Sequence, residues 1–287
     1  MAFLANIFGY LLHAIYNIVQ NYGIAIILFS IVLKLLLLPL SIKQQKTMKK
    51  STKIQGKLKE IQFKYKNDPE KLNQETIRLY KEENMSPFSG CLSSILQIVI
   101  LFAVFYLVSR PLTYMQKVDP ALIEQYTNEI KQEQQNNNAY TEIAIIQHKG
   151  PNDERVNLNM NFLGIDLSKV PTQSLNDPRV YIIPVLYVIT SFVSIRMTTN
   201  MQKKKKEKEV VQETNSNKLV KVEDEVDPME QANKSMGLLM PIMSISIAII
   251  APLGLALYWL VSNNVLMIIE RIVLNKWMES KEEKENV

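Results

Sequence analysis

Five apolar blocks, each long enough to cross a bilayer as a helix, constrain this chain more than any other feature of its sequence. Hydrophobic residues make up 47% of the chain and charged residues 21%, and the two kinds are segregated along it. The blocks cover about a third of the chain, which excludes an ordinary soluble globule. We therefore predict an all-α polytopic membrane protein with five transmembrane helices, at residues 23–42, 90–109, 180–196, 235–251 and 252–274.

The basic residues between the blocks predict the orientation of the chain. Residues 43–87 carry eleven lysines and one arginine against six acids, whereas residues 110–177 carry six basic residues and nine acids. Cytoplasmic loops are enriched in Lys and Arg. We therefore expect an N-terminus outside and a C-terminus inside. The extracellular segment would be 110–179, and the cytoplasmic segments would be 43–89, 197–234 and the tail 275–287.

The segments between the blocks have patterns of their own. Residues 1–22 predict an amphipathic helix lying at the membrane interface. Segment 43–89 predicts a cytoplasmic helical hairpin, because Asn67-Asp68-Pro69 separates two apolar stripes and Asp68 can cap the second helix. The polar composition of 197–234 predicts a disordered linker. The apolar positions expected on the first helix are Leu4, Ile7, Phe8, Leu11, Leu12, Ile15, Ile18 and Val19.

Lys34 lies inside the first apolar block, about 13 Å along a helix from Lys43, the next basic residue. A charge at this depth costs about 2.5–3.5 kcal/mol on insertion scales. Such charges face a bundle interior or a water-filled cavity rather than lipid. We therefore interpret Lys34 as a functional group that attracts negative charge into a hydrated recess. The alternative is a lysine that snorkels to the interface without a substrate role.

Several kinds of chemistry have no signature in the sequence. Cys91 is the single cysteine, so an internal disulfide is impossible. His13 and His148 have no Cys or His partner at a spacing typical of metal ligands. No glycine-rich phosphate loop is present. We expect no cofactor and no metal, and we expect a protein that is not an enzyme.

Ordered motifs across the chain resemble a YidC-type membrane insertase of the YidC/Oxa family, close to the shorter form of Gram-positive bacteria. The family usually has Arg where this chain has Lys34, and commonly Pro at the position of Ser93. The motifs that carry the resemblance are Asn21-Tyr22-Gly23 with Lys34 and Leu38-Pro39-Leu40; Pro87 with Gly90-Cys91-Leu92 and Gln97; Asn161-Phe162-Leu163 with Ile165-Asp166-Leu167-Ser168; Met240-Pro241-Ile242-Met243; and Pro252, Gly254-Leu255 and Leu257-Tyr258-Trp259 with Ser262-Asn263-Asn264.

The resemblance implies a hydrophilic groove open to the cytoplasm and to lipid. Through it, short hydrophilic tails of nascent membrane proteins would cross the bilayer without nucleotide hydrolysis. The chain would act as a monomer in the bacterial cell membrane, with the ribosome and the Sec translocon as further possible partners. The residues expected to line the groove are Ser30, Lys34, Gln97, Trp259, Ser262 and Asn263.

Other readings of these residues remain open. Gln97, Ser262 and Asn263 could serve interhelical hydrogen bonding, and Trp259 could serve packing or interfacial anchoring. The chain could also be a small-solute or ion transporter with Lys34 in its pathway, although no inverted repeat or second intramembrane charge is evident. A membrane scaffold that docks partners through 43–84 is a third possibility.

Overall fold

The computed structural model describes residues 2–83, 89–134, 140–213, 246, 248–269 and 272, and most of them are helical. Short π-helices cover Leu112–Gln116 and Leu260–Val265, and a two-stranded hairpin pairs β1 (Asn161–Phe162) with β2 (Ile165–Asp166). Short 3₁₀ turns lie at Gly150–Asn152, Glu154–Val156, Pro171–Gln173 and Pro178–Tyr181. The α-helices are α1 (Ala2–Val19), α2 (Tyr22–Lys64), α3 (Pro69–Glu82), α4 (Ser89–Ser109), α5 (Pro120–Gln134), α6 (Thr141–Lys149), α7 (Ile182–Glu213) and α8 (Leu253–Trp259).

Three helical stretches among the described residues are long and apolar enough to cross a membrane: Ala2–Val19, Tyr22–Gln44 and Pro178–Met197. Shorter apolar helices cover Ile95–Ser109 and Leu253–Ile269. The predicted all-helical membrane architecture is thus confirmed in outline. The count of five crossings stays a prediction, and so does the interfacial position of α1.

The relative directions of the helices follow from single contacts. The Tyr22 hydroxyl, at the start of α2, donates to the carbonyl of Val108, at the end of α4, at 3.4 Å, so these helices are antiparallel. Tyr22 also lies against Gly254 at the start of α8. Helix α8 continues through the π-helix to Ile269, and we call the stretch Leu253–Ile269 the last helix. Between α7 and the last helix, Ser191 contacts Asn264 and Ser194 contacts Met267. From the first contact to the second, the residue number rises by three on both helices, so the two helices are parallel.

Segment 157–169 covers the end of the bundle where α2 and α8 begin, which we call the loop end. The backbone N–H of Tyr22 donates to Asn159 at 3.0 Å, and those of Leu253 and Gly254 donate to Lys169 and Leu167, both at 2.9 Å. The first N–H groups of a helix have no partner within the helix. The segment therefore caps two apolar helices with its own carbonyl groups.

The same covering region is held together by a tight turn and a buried acid. Between β1 and β2, Leu163 and Gly164 both have positive φ, as a two-residue type I′ hairpin turn requires. Glu142 of α6 is buried and accepts hydrogen bonds from the Thr113 backbone N–H at 3.0 Å and its hydroxyl at 2.6 Å. Burial raises the pKa of Glu142, and the bonds from Thr113 partly oppose this shift. The acid thus ties α6 to the π-helix that follows α4.

Helix α1 packs through a face that only partly matches the predicted stripe: Leu12 is buried, and Phe8, Leu11, Ile15 and Val19 pack against the core. Its buried residues are Ala5, Gly9, Leu12 and Tyr16. Ile7 and Ile18 of the predicted apolar stripe are exposed, Ile18 by 83%. Hydrophobicity does not select a packing face in an apolar setting, whereas small residues let helices approach closely. Gly9 meets the Tyr114 backbone so closely that a Cβ atom there would overlap the Tyr114 carbonyl.

Two helices, α2 and α3, meet at the turn expected for the hairpin. Helix α2 continues without a break to Lys64, the Asp68 side chain accepts from the Lys71 N–H at 3.1 Å, and Pro69 opens α3. Ile54 of α2 and Leu79 of α3, one from each predicted stripe, are buried. The first arm of the hairpin is therefore an extension of the predicted first transmembrane helix.

Helix α7 also runs further than expected, to Glu213 rather than to residue 196. No Pro or Gly interrupts the sequence from Val185 to Glu213, and Lys and Glu are good helix formers. The rest of the predicted linker 197–234 lies outside the described residues. So do residues 235–245 and 247 of the predicted fourth helix and the whole predicted tail 275–287.

Gly9→Ala is expected to destabilise the protein by about 1–3 kcal/mol, because the added methyl group overlaps backbone that cannot move aside alone. Gly56→Ala is the matched control, since nothing lies within 4 Å of a Cβ atom at this helical position. It should be neutral or stabilise by up to about 1 kcal/mol. Denaturant unfolding in detergent micelles measures both, and equal effects would contradict the close approach of α1.

Asp177→Asn should destabilise the protein in a pH-dependent way. Hydrogen bonds from Lys169, at 2.9 Å, and from Arg179, at 3.0 Å, lower the pKa of Asp177 from its usual 3.8 to about 2. A carboxylate with a lowered pKa stabilises the fold above the pKa of the unfolded chain, and this stabilisation is lost as pH falls through the folded pKa. The variant should therefore be less stable than the parent at neutral pH, and the difference should disappear towards about pH 2. Unfolding measured across this range checks it; a difference that does not change with pH would contradict it.

Candidate functional site

The polar residues of the apolar helices fall at similar depths in the bundle. Lys34 lies twelve residues from Tyr22, or about 18 Å along α2. Because α4 is antiparallel and Val108 contacts Tyr22, the position on α4 twelve residues from Val108 is 96, next to Gln97. Gly254, near the start of the last helix, lies against Tyr22 and Ile26 of α2. Asn264 follows ten residues later and is therefore at a similar depth to Lys34. The sequence thus places a layer of polar residues about halfway through an apolar bundle.

Packing changes at this layer. Towards the loop end, the inward positions of α2 and α4 are fully buried, and every residue from Ala251 to Leu260 is buried. Beyond the layer, every residue from Lys34 to Gln44 is half-buried or exposed, and so is every residue from Ile95 to Val99. Among the described residues, α2 and α4 are therefore tightly packed on the loop-end side of the layer and loosely packed beyond it. The inward-facing residues are Tyr22, Ala25, Ile26, Phe29, Ser30 and Leu33 of α2 and Ile100, Ala103, Val104, Leu107 and Val108 of α4.

The structure places the predicted residues of α2 and α4 on the two sides of this boundary. Ser30 is buried, and its hydroxyl donates to the Ile26 carbonyl of its own helix at 2.7 Å. Lys34, one turn further, is half-buried, and Gln97 is exposed. Ser30 therefore belongs to the packed half, whereas Lys34 and Gln97 stand where the packing loosens.

The predicted residues of the last helix lie on or beside its π-helix. Trp259 is buried just before it, and its indole N–H has no hydrogen-bond partner among the described residues. The buried Ser262 hydroxyl donates to the Tyr258 carbonyl at 2.7 Å, and Asn263 is half-buried. Of the three residues, only Asn263 is not fully buried.

Asn264 is the functional candidate that sequence reasoning missed. It is 3% exposed and hydrogen-bonds α7 through Tyr187, Thr190 and Ser191. The signal was present, since Asn263 and Asn264 are adjacent amides in an apolar run. Periodicity could not choose between them, because a π-helix shifts the phase of the residues that follow it.

Two features elsewhere do not contribute to this layer. An open depression of about 540 Å³ at the loop end is lined by Lys169 and residues 173–179, where the basic side chains are bonded to Asp177. In the described part of the chain, no three His, Cys, Asp or Glu side chains form a group that could hold a metal ion. The groups available for chemistry in the polar layer are therefore the charge of Lys34, side-chain amides and hydroxyl groups.

Comparison with known proteins identifies the family. The profile of the family described as 60Kd inner membrane protein matches residues 14–282. The chain belongs to this family. The predicted resemblance is therefore confirmed, and the chain is a multi-pass protein of the bacterial cell membrane.

The relatives carry a consistent name. "Membrane protein insertase YidC 2" of Listeria innocua is 28% identical over 272 residues, 92% of this chain and 68% of that protein. "Membrane protein insertase YidC" of Caldanaerobacter subterraneus is 46% identical over 105 residues, 37% of this chain. The protein of that name from Clostridium perfringens is 45% identical over 104 residues, 36% of this chain. The chain spans 51% of the Caldanaerobacter protein and 43% of the Clostridium protein.

If the loose half of the bundle is hydrated, a cysteine at position 34 should react with a charged maleimide added to membranes. In a Cys91→Ser background, we expect Lys34→Cys to react at least about tenfold faster than Leu35→Cys, because burial in an apolar environment suppresses the thiolate. Leu35 is the matched control, since it is the next residue and is exposed on an apolar stretch. Equal, slow labelling at both positions would mean that the side chain at position 34 is not exposed to water.

Proposed function

We propose that this chain is a membrane protein insertase that passes short hydrophilic tails of nascent membrane proteins across the bilayer. Its membership of the 60Kd inner membrane protein family supports this function. So do the names of its relatives, including one aligned over 92% of this chain. The proposal involves no bond making or breaking and no nucleotide.

The observation that carries the proposal is the change in packing at Lys34. The loop-end half of the bundle is buried and capped by segment 157–169, whereas the other half is loose from Lys34 onward. With 157–169 on the outside, this geometry favours a hydrated groove that opens to the cytoplasm and ends about halfway across the membrane. Lys34 and Gln97 would lie at its closed end, with Asn263 and Ser262 on the wall formed by the last helix and Ser30 and Trp259 behind them.

Such a groove lowers the main barrier to insertion. A polar tail that crosses the hydrocarbon core of about 30 Å loses its hydration over that distance. A hydrated recess that reaches halfway removes about half of the dry path. The positive charge of Lys34 would attract acidic tails to the end of the recess, where the low dielectric strengthens the attraction.

Release of the substrate then requires no energy source within the protein. The apolar helix of a client gains about 25 cal/mol for each Å² that leaves water for lipid. The exposed apolar side chains of α7 include Ile182, Val185, Ile189 and Phe192, and they offer a path for this transfer. The membrane potential adds a force on acidic tails that move outwards.

The predicted topology is consistent with the described helices. Since α7 and the last helix run parallel, a chain that spans the membrane with both must cross back between them. The predicted helix at 235–251 supplies that crossing and gives five spans. Together with the basic residues of 43–87, this parity supports the proposed orientation, with the N-terminus outside and the C-terminus inside.

The partners in this proposal are the nascent client and the bilayer, with the ribosome and the Sec translocon as candidates for the hairpin of α2 and α3. The hairpin extends α2 by 22 residues beyond position 42, or about 33 Å. This length would reach well into the cytoplasm. The chain would work as a monomer, because one bundle contains the whole groove.

Purified protein in liposomes should insert a short-tailed, single-span test protein without ATP. Lys34→Arg should keep this activity, because it keeps the charge. Lys34→Glu should reduce insertion of a client with an acidic tail by about tenfold, and of a matched client with a neutral tail much less, since only the former is repelled. Protease protection of the tail measures insertion.

The other outcomes separate the alternatives. Insertion no better than in empty liposomes would overturn the insertase function, and a solute flux that depends on Lys34 would then favour a transporter. Equal insertion by the parent, Lys34→Arg and Lys34→Glu would overturn the role of the charge but leave the groove in place. A scaffold would tolerate all these substitutions and insert nothing.

A further inference from the structure

Asn264 makes a dense set of hydrogen bonds between two apolar helices. Its amide nitrogen lies 3.1 Å from the Tyr187 carbonyl oxygen, 2.9 Å from the Thr190 hydroxyl and 3.0 Å from the Ser191 hydroxyl. The Ser191 hydroxyl in turn lies 3.3 Å from the Asn264 side-chain oxygen. Asn264 and Ser191 are 3% and 6% exposed. One carboxamide thus connects the last helix to a full turn of α7.

The Asn264 amide nitrogen has more hydrogen-bond acceptors around it than it has N–H groups. A carboxamide has two N–H groups, but three acceptors surround this one. The Ser191 hydroxyl can either accept from the amide nitrogen or donate to the amide oxygen. Small rotations of the side chains therefore exchange one bond for another without leaving the amide unsatisfied. Because the amide stays hydrogen-bonded throughout, and an apolar environment offers it no other partner, the last helix stays at a fixed position along α7.

The contact between the two helices one turn further is weaker. One turn further, the Ser194 hydroxyl lies 3.5 Å from the Met267 sulfur, a weak acceptor. Apolar side chains slide along one another at little cost when lipid is the alternative. The hydrogen bonds of Asn264 therefore help to fix the relative level of the two helices.

The π-helix that contains Asn264 is in contact with neighbouring helices on two sides. Asn264 and Ser262 are two residues apart, so their side chains point to nearly opposite sides of the helix, yet both are buried. Asn264 faces α7, and the π-helix that contains both residues also packs against α2. π-Helical turns are rare and are often found at functional sites.

We propose that Asn264 is a positioning residue that clasps α7 to the last helix and keeps their exposed apolar sides aligned as one surface. Phe192 and Val193 flank the clasp on α7, and Val265 flanks it on the last helix; all three are exposed. This role rests on the proposed function, because the aligned surface is the path by which a client helix would leave for lipid. Asn264 itself makes no contact with the client.

The test separates the clasp from insertion. In a Cys91→Ser background, spin labels at Phe192→Cys and Val265→Cys report the distance between the two helices in liposomes, and unlabelled protein reports the rate of insertion of a single-span client at rising client concentration. Asn264→Leu removes every bond at similar volume. Ser194→Ala is the matched control on the same interface. The reciprocal swap, Asn264→Ser with Ser191→Asn, returns a carboxamide and a hydroxyl to the same place.

Asn264→Leu should at least double the width of the distance distribution and lower the maximal insertion rate about three- to tenfold, the factor that corresponds to one or two interhelical hydrogen bonds. The half-saturating client concentration should not change, because the client does not bind Asn264. The swap should restore both the narrow distribution and the rate, and Ser194→Ala should change neither. Should Asn264→Leu fail to fold, Thr190→Val with Ser191→Ala removes two of the three acceptors and should give the same changes.

An unchanged distance distribution in Asn264→Leu, or in the acceptor variant, would overturn the clasp. A broadened distribution with a normal insertion rate would overturn the positioning role while leaving the insertase function intact. Failure of the swap to restore either quantity would also overturn the proposal. A parent protein that inserts no client would overturn the insertase function and, with it, any role of Asn264 in insertion.

Discussion

The fold depends on three backbone hydrogen bonds that segment 157–169 makes to the starts of α2 and α8. Helices in an apolar environment have no water to bond their first N–H groups, so these groups need partners from the protein. The carbonyl groups of Asn159, Leu167 and Lys169 supply them. The bonds fix two helices at one level and close one end of the bundle. The alignment of the polar layer, about halfway through the bundle, follows from that common starting point.

Much of the architecture could be predicted from the sequence because the physical signals are strong and local. Long apolar blocks identify membrane helices, and Asp68 with Pro69 identifies the start of α3 through a cap that needs no tertiary contact. The packing face of α1 could be predicted only in part, because apolar residues cover most of its surface. Leu12 of the predicted stripe is buried, whereas the stripe did not include Gly9, whose small size allows close contact with the Tyr114 backbone.

The candidate site could be predicted in part for the same reason. Lys34 and Gln97 stand out because polar groups are rare in apolar helices, and the structure leaves both at the boundary where packing loosens. Ser30 and Ser262 satisfy their hydroxyls on their own helices, which sequence alone cannot foresee. The choice between Asn263 and Asn264 depended on a π-helix, a backbone form for which no residue pattern in the sequence gives a signal.

The length of α2 has a mechanical consequence. One unbroken helix of 43 residues carries Lys34 in its apolar part and the hairpin turn at its far end. Pro39 lies between them, and the missing N–H of a proline weakens the helix against bending at that point. The helix can therefore bend five residues beyond Lys34, whose side chain is half-buried. A pull on the hairpin would tilt the section that bears Lys34, so a force applied to α3 would be transmitted along α2 to the polar layer.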